Sequence, residues 1–279
     1  MEFHLDSEDI RNIDKIDDSS KLFSILLNVM IKLRSPGGCI WDREQSHKTI
    51  KKNLIEETYE AVESIENEDF SALKEELGDL LLQVVFHSQI AAESNIFDIK
   101  EVLRGIISKL VRRHPHVFGE AVVKDSREIL ENWEEIKKKE RKKRAKESDS
   151  IFSGIPKSLP SLHLAYEIQN RASRLGFDWD DKAGVFDKIE EELSELKKEL
   201  SKKGDGFISE EIGDVLFTIV NFSRHTGVDC EESLRESSKK FIKRFDFMEK
   251  YAEENNMDFK KLTLKEKDKL WEIAKNELS

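Results

Sequence analysis

The sequence predicts an all-α protein built as two copies of one helical-bundle domain. Apolar residues recur at helical spacing over long stretches, while alternating, strand-like runs are scarce. Only 4 prolines and 12 glycines punctuate 279 residues, which leaves room for long uninterrupted helices. One acidic pattern also occurs twice, 135 residues apart. Glu56-Glu57-Thr58-Tyr59-Glu60 is followed by Glu76-Leu77-Gly78-Asp79, and Glu191-Glu192-Leu193-Ser194-Glu195 by Glu211-Ile212-Gly213-Asp214. In a chain that is 38% charged a single EExxE arises readily by chance. The same pair of motifs at the same gap points to duplication.

The elements follow in chain order. Residues 1–20 have no counterpart in the second half and read as an N-terminal extension, mobile for want of a packing partner. The first domain is expected over 21–147 and the second over 148–279. Their boundary falls near Ser148-Asp149-Ser150, where the helical pattern yields to Gly154, Pro156 and Pro160. Cys39-Ile40-Trp41-Asp42 precedes the first acidic cluster as Phe177-Asp178-Trp179-Asp180 precedes the second. Downstream, Lys109-Leu110-Val111-Arg112-Arg113 is echoed by Lys240-Phe241-Ile242-Lys243-Arg244, and Trp133 by Trp271. The offsets of 138, 135, 131 and 138 residues leave only small loop changes between halves.

On a helix, residues three and four apart share a face, so Glu57 pairs with Glu60 and Glu76 with Asp79. Asn67-Glu68-Asp69-Phe70-Ser71 between them lacks an apolar period and reads as a turn. Folded there as a hairpin, both clusters lie about 12 Å from the bend at a rise of about 1.5 Å per residue. The second copy bends near Lys203-Gly204-Asp205-Gly206, where glycine stops a helix. Leu80 to Phe86 and Val215 to Val220 make the partner helices apolar nearly all round, so burial is expected. Carboxylates on such helices call for a cation, and a cluster of four suits a hard divalent ion such as Mg²⁺.

Composition narrows the function. A net charge of −11 disfavours nonspecific nucleic-acid binding. Eight of the ten residues 137–146 are Lys or Arg, read as a solvated helical extension. Cys39 and Cys230 stand far apart without a CxxC, so neither a zinc site nor a disulfide framework is indicated. With no signal-peptide pattern and no apolar run of membrane-spanning length, a soluble cytoplasmic protein is expected. No GxxxxGK[ST] loop is present. A carboxylate-bridged di-iron bundle needs Glu-x-x-His on two helices, whereas the chain has only Glu44-Gln45-Ser46-His47, outside both hairpins. The duplicated acids, the Lys240/Arg244 and Lys109/Arg113 pairs and the two tryptophans suggest a triphosphate held by Mg²⁺ and cations under a stacked base.

The segments Glu-Glu-Thr-Tyr-Glu, Glu-Leu-Gly-Asp-Leu-Leu, Arg-Arg-His-Pro-His-Val-Phe at 112–118 and Gly-Phe-Asp-Trp at 176–179 resemble the MazG family over roughly residues 21–279. That is a family of tandem-domain, all-α nucleoside triphosphate pyrophosphohydrolases. The resemblance implies Mg²⁺-dependent hydrolysis of NTP or dNTP, ATP among them, to the monophosphate and pyrophosphate by a homodimer. It implies Glu192, Glu195, Glu211 and Asp214 as metal ligands, and Glu57, Glu60, Glu76 and Asp79 as their first-domain equivalents. The nucleotide would lie against Lys188, Ile189, Glu190, Glu191 and Glu192, Lys240, Phe241, Ile242, Lys243 and Arg244, and Trp271. Glu191 and Glu56, next to the ligand pairs, are candidates to orient or deprotonate the attacking water. Ile40 stands where the family usually has proline. The second half is expected to be the main catalyst, because His114-Pro115-His116 interrupts the equivalent helix of the first. A non-catalytic nucleotide-binding regulator and a specialised dUTP or dCTP pyrophosphatase are the alternatives.

Overall fold

The structure, a computed structural model, describes residues 10–121, 150–200 and 207–278, with scattered positions between 123 and 140. Among these residues there are eleven helices and no strand. The chain divides into two compact units, residues 1–141 and 142–279. Most of the 137–146 basic run and the turn expected at 203–206 lie outside the described residues.

In the first unit a short 3₁₀ turn at Ile13–Lys15 precedes α1, Ser19–Arg34. The Asp18 side chain accepts the N–H groups of Ser20 and Lys21, so the helix starts within the segment expected as extension. Next come α2 (Ile40–Glu44), α3 (Lys51–Glu66), α4 (Phe70–Glu93), α5 (Ile99–Arg113) and α6 (Pro115–Phe118). The bend between α3 and α4 falls where the polar stretch predicts it. Glu68 there takes a left-handed φ of 54°, and Asp69 caps α4 by accepting the Ser71 and Ala72 N–H groups. Met30, Ile50, Val85, Phe86 and Ile90 form the core beneath this hairpin. Arg34, with 5% of its side chain exposed, pairs with Glu93 through two contacts of 2.7 and 2.9 Å and lies over the Phe86 ring.

The second unit contains α7 (Ser161–Ser173), α8 (Lys182–Leu200), α9 (Ile208–Thr226), α10 (Cys230–Glu254) and α11 (Leu264–Glu277). Helix α9 stops at Gly227, whose φ of 72° suits a residue without Cβ, and whose N–H returns to the carbonyls of Arg224 and Ser223. A Thr263–Glu266 capping box opens α11. Helices α8 and α9 form the hairpin, α7 lies on α9, and α10 packs mainly on α11 and α7. Val185 and Val220 are fully buried, and Met248, Ala252, Leu270 and Ala274 make a second cluster.

The expected burial of the apolar hairpin helices needs correction. Leu77, Leu81 and Val84 remain 54%, 42% and 41% exposed, and Leu216, Phe217 and Ile219 remain 46%, 43% and 41% exposed. Among the described residues, the helices packed on α4 and on α9 leave part of each exposed. Both cysteines are free. No helix among the described residues is long and apolar enough to cross a membrane.

Glu93→Ala is expected to cost about 2 kcal/mol in urea unfolding, because it strands a buried guanidinium. The double change Arg34→Met, Glu93→Leu should recover most of that loss. An unchanged unfolding midpoint in the single variant would mean that the pair does not hold α1 against α4.

Candidate functional site

The α3–α4 hairpin brings Glu57, Glu76 and Asp79 together, with one carboxylate oxygen of each lying within 4.8 Å of the others. The α8–α9 hairpin does the same with Glu192, Glu211 and Asp214. The remaining expected ligands stand beside these triads. Glu60 bears on both Glu57 and Glu76, and Glu195 on Glu211. Oxygens at this separation need only small side-chain turns to converge on one ion.

The protonation of these groups reports how crowded they are. Burial, then Asp79 and Glu60, push the Glu57 carboxyl above the ordinary range. Burial, then Glu60, Asp79 and Glu75, do the same to Glu76. Glu211 is raised by burial and by Glu195, Glu199, Asp214 and Glu192. Like charges packed this closely disfavour one another's ionised form, and a divalent cation removes that penalty. The donor set, all hard carboxylate oxygen, fits Mg²⁺ and similar ions.

The two sites differ in their own counter-charges. Lys188 reaches Glu191 and Glu192 at 2.9 Å each, and these contacts, with Glu192 leading, raise its pKa. Glu192 is 7% exposed, so the lysine balances a charge that solvent hardly reaches. The corresponding position of the first unit is Asn53.

Of the other expected nucleotide contacts, Ile189 is half-buried, and Glu190 and Glu191 are exposed on α8. Lys240, Phe241, Ile242, Lys243 and Arg244 lie on α10, away from the hairpin in sequence and packed with a different partner. Trp271 places its ring 5.0 Å from Phe241 and under the Arg244 guanidinium at 5.6 Å. In the first unit Arg113 lies over Trp133 and, with Arg112, pairs with Glu140, whose carboxyl is held down at about 2. Glu56 is exposed on α3.

A cavity of about 200 Å³ opens along α9, lined by Phe152, Gln169, Phe177, Trp179, Thr218 and Asn221 among others. Thr218 and Asn221 follow Asp214 by one and two turns on the same face, and the Thr218 hydroxyl donates to the Asp214 carbonyl at 2.9 Å. Gln169 is 7% exposed. Its amide nitrogen donates to the Phe217 carbonyl at 2.7 Å, and its amide oxygen is buried without a partner. Arg224 and His225 both grip Asp178, which ties the Phe177–Trp179 segment to α9. Burial would raise the Asp178 carboxyl, but these two partners outweigh it and hold it below the ordinary range.

Sequence reasoning missed Gln169 and the Asp178 anchor, and Glu199 as part of the acidic field. Phe177-Asp178-Trp179 is legible in the sequence as a repeat marker and as part of the family resemblance, but not as an anchor. The spacing of Glu199, four residues after Glu195, was the one available signal for the last.

A duplicated all-α fold with a carboxylate cluster on each hairpin and an aromatic-walled cavity beside one of them describes a metal-dependent enzyme of nucleotide-like substrates. The MazG nucleotide pyrophosphohydrolase domain is found twice in the chain, over residues 45–118 and 183–246. The chain is 46% identical over 254 residues to the nucleoside triphosphate pyrophosphohydrolase/pyrophosphatase MazG of Thermotoga maritima, covering 91% of this chain and 96% of that protein. It is 40% identical over 255 residues to the nucleoside triphosphate pyrophosphohydrolase of Escherichia coli K12, covering 90% and 96%. It is also 41% identical over 254 residues to YabN of Bacillus subtilis, covering 91% of this chain and 51% of that protein. The chain belongs to the MazG family.

A raised carboxyl binds protons more readily in the folded state than in the unfolded one, so its stability contribution falls as pH rises through and above the usual carboxylate range. Glu76→Gln in EDTA at pH 7 is therefore expected to raise the melting temperature, with the gain shrinking towards pH 4. A lowered melting temperature at pH 7 would contradict mutual repulsion within the cluster.

Proposed function

We propose that this protein is a nucleoside triphosphate pyrophosphohydrolase that uses Mg²⁺ to cleave NTP or dNTP to the monophosphate and pyrophosphate. The observation that carries the reading is the juxtaposition, along one face of α9, of the Glu211/Asp214 carboxylates with the Gln169–Trp179 cavity. The distance along the helix from Asp214 to Asn221 is about 10 Å at a rise of about 1.5 Å per residue, similar to the span from a nucleotide's phosphates to its base.

Glu192, Glu195, Glu211 and Asp214 hold the metal in the second unit, and Glu57, Glu60, Glu76 and Asp79 are their equivalents in the first. When bound, Mg²⁺ supplies neutralisation of phosphate charge and acidification of a water. Lys188 pairs with Glu191 at 2.9 Å beside the ligand set, where Glu191 orients the attacking water and takes its proton. Lys240, Lys243 and Arg244 supply the phosphate-facing cations.

The base enters the aromatic cavity rather than stacking on Trp271, whose ring is already engaged by Phe241 and Arg244. Phe177 and Trp179 offer the apolar walls, and the Gln169 amide oxygen accepts from the base edge. Homodimerisation covers the apolar faces of the hairpins, where Leu77, Leu81, Leu216 and Ile219 are each more than 40% exposed. The second unit is the main catalyst, and its boundary with the first lies close to residues 147–148.

The test is pyrophosphate release from a panel of NTPs and dNTPs, with Mg²⁺ and with EDTA. Pyrophosphate and monophosphate are expected with Mg²⁺ only, and Glu192→Gln should lower turnover by roughly 10²-fold or more while the helical circular dichroism persists. Orthophosphate as the product would reject the reaction class. Full activity in Glu211→Gln with loss in Glu76→Gln would move the main catalyst to the first unit.

A further inference from the structure

We propose that Glu140 fills the anion seat of the first unit, closing its Arg112/Arg113 pair to a triphosphate while the equivalent seat of the second unit stays open. The inference rests on the reading of Lys240, Lys243 and Arg244 as phosphate-facing cations. It adds to that reading the residue that decides which unit can use such cations.

A guanidinium set over an indole ring is built twice. Arg113 lies over Trp133 at 6.0 Å and Arg244 over Trp271 at 5.6 Å, and the two pairs hold equivalent places in the duplicated sequence. What completes each pair differs. In the first unit the Glu140 carboxylate spans both arginines. Its Oε1 accepts from the Arg112 Nε at 2.7 Å, and its Oε2 accepts from the Arg113 Nη2 at 2.6 Å and Nε at 3.2 Å. In the second unit the Arg244 Nε is buried without a hydrogen-bond partner, and among the described residues no ion pair of Arg244 is found. The residue seven after Trp133 is Glu140, whereas the residue seven after Trp271 is Leu278. The second unit thus has an apolar side chain at the position whose carboxylate fills the seat in the first.

A carboxylate and a phosphate offer the same pair of acceptor oxygens to a guanidinium fork, so one excludes the other. Glu140 is the one acid among residues 137–146, and its carboxylate turns to arginines 28 and 27 residues back. Attachment to the same chain gives it an effective concentration on the order of millimolar, which a nucleotide has to overcome. Arg113 and Glu140 are each only 16% exposed, so water and salt screen the pair little. Arg113, and Arg112 with it, hold the Glu140 carboxyl down at about 2. The group therefore stays charged, and competes, throughout the neutral range.

Binding of α,β-methylene-ATP, whose scissile bridge resists hydrolysis, is measured by calorimetry with Mg²⁺ on the full chain. Glu211→Gln, which removes a carboxylate of the second unit's cluster, is the background, so that the first unit dominates the signal. Adding Glu140→Gln should strengthen binding by about tenfold, because an amide brings no charge to compete with the phosphates. Glu140→Ala serves as the second variant if Glu140→Gln misfolds. Adding Arg112→Ala and Arg113→Ala as well should abolish the gain. Unaltered or weaker binding once the Glu140 carboxylate is removed would overturn the proposal, and so would a gain that survives loss of both arginines. Absence of Mg²⁺-dependent nucleotide binding in the wild type would instead overturn the reading on which the proposal rests.

Discussion

Carboxylates gathered at one level of a helical hairpin repel one another, and the rest of each unit is organised around tolerating that repulsion. Glu57, Glu76 and Glu211 all have carboxyls shifted upwards by burial and by their acidic neighbours. The hairpin survives because the strain is confined to one end of it. Beyond Asp79, α4 buries Val85, Phe86, Ile90 and Ala91, and beyond Asp214, α9 buries Val220. Apolar packing there contributes on the order of 25 cal/mol per Å². The acids are held in place by the helices that carry this core, and a cation bound among them would convert their repulsion into binding energy.

The two units solve the same problem with different accessories. The second sets Lys188 between Glu191 and Glu192, next to an open aromatic cavity with Gln169 and Asn221 in its wall. The first has Asn53 in place of the lysine and fills its core with Met30 and Phe86 beneath the Arg34–Glu93 pair. It then places Gln83 and His87 along the acidic face. Duplication preserved the carboxylate geometry, which depends on a few residues at fixed helical spacing.

Apolar faces stay exposed on several of the described helices. Helix α5 has no buried residue, although Leu103, Ile106, Ile107, Leu110 and Val111 recur along it. A helix with that pattern is stable only when its stripe is covered. The same holds for Ile212, Leu216 and Ile219 on α9. Side chains of this kind are the part of the sequence whose meaning lies outside a single unit.

Helices, hairpins and the carboxylate clusters were legible in the sequence because each depends on local spacing. A period of 3.6 residues fixes which carboxylates share a face, and the polar break at 67–69 fixes where the chain turns. Even the clustering of Glu57 with Asp79 followed from matched distances to the bend. The tertiary structure alone decided what those spacings leave open. It engaged Trp271 with Phe241 and Arg244 instead of leaving its ring free, anchored Asp178 to Arg224 and His225, and turned buried oxygens of Gln83 and Gln169 towards no protein partner. These outcomes depend on contacts between residues tens of positions apart, and on which faces remain uncovered once the helices have packed. Periodicity carries no record of either.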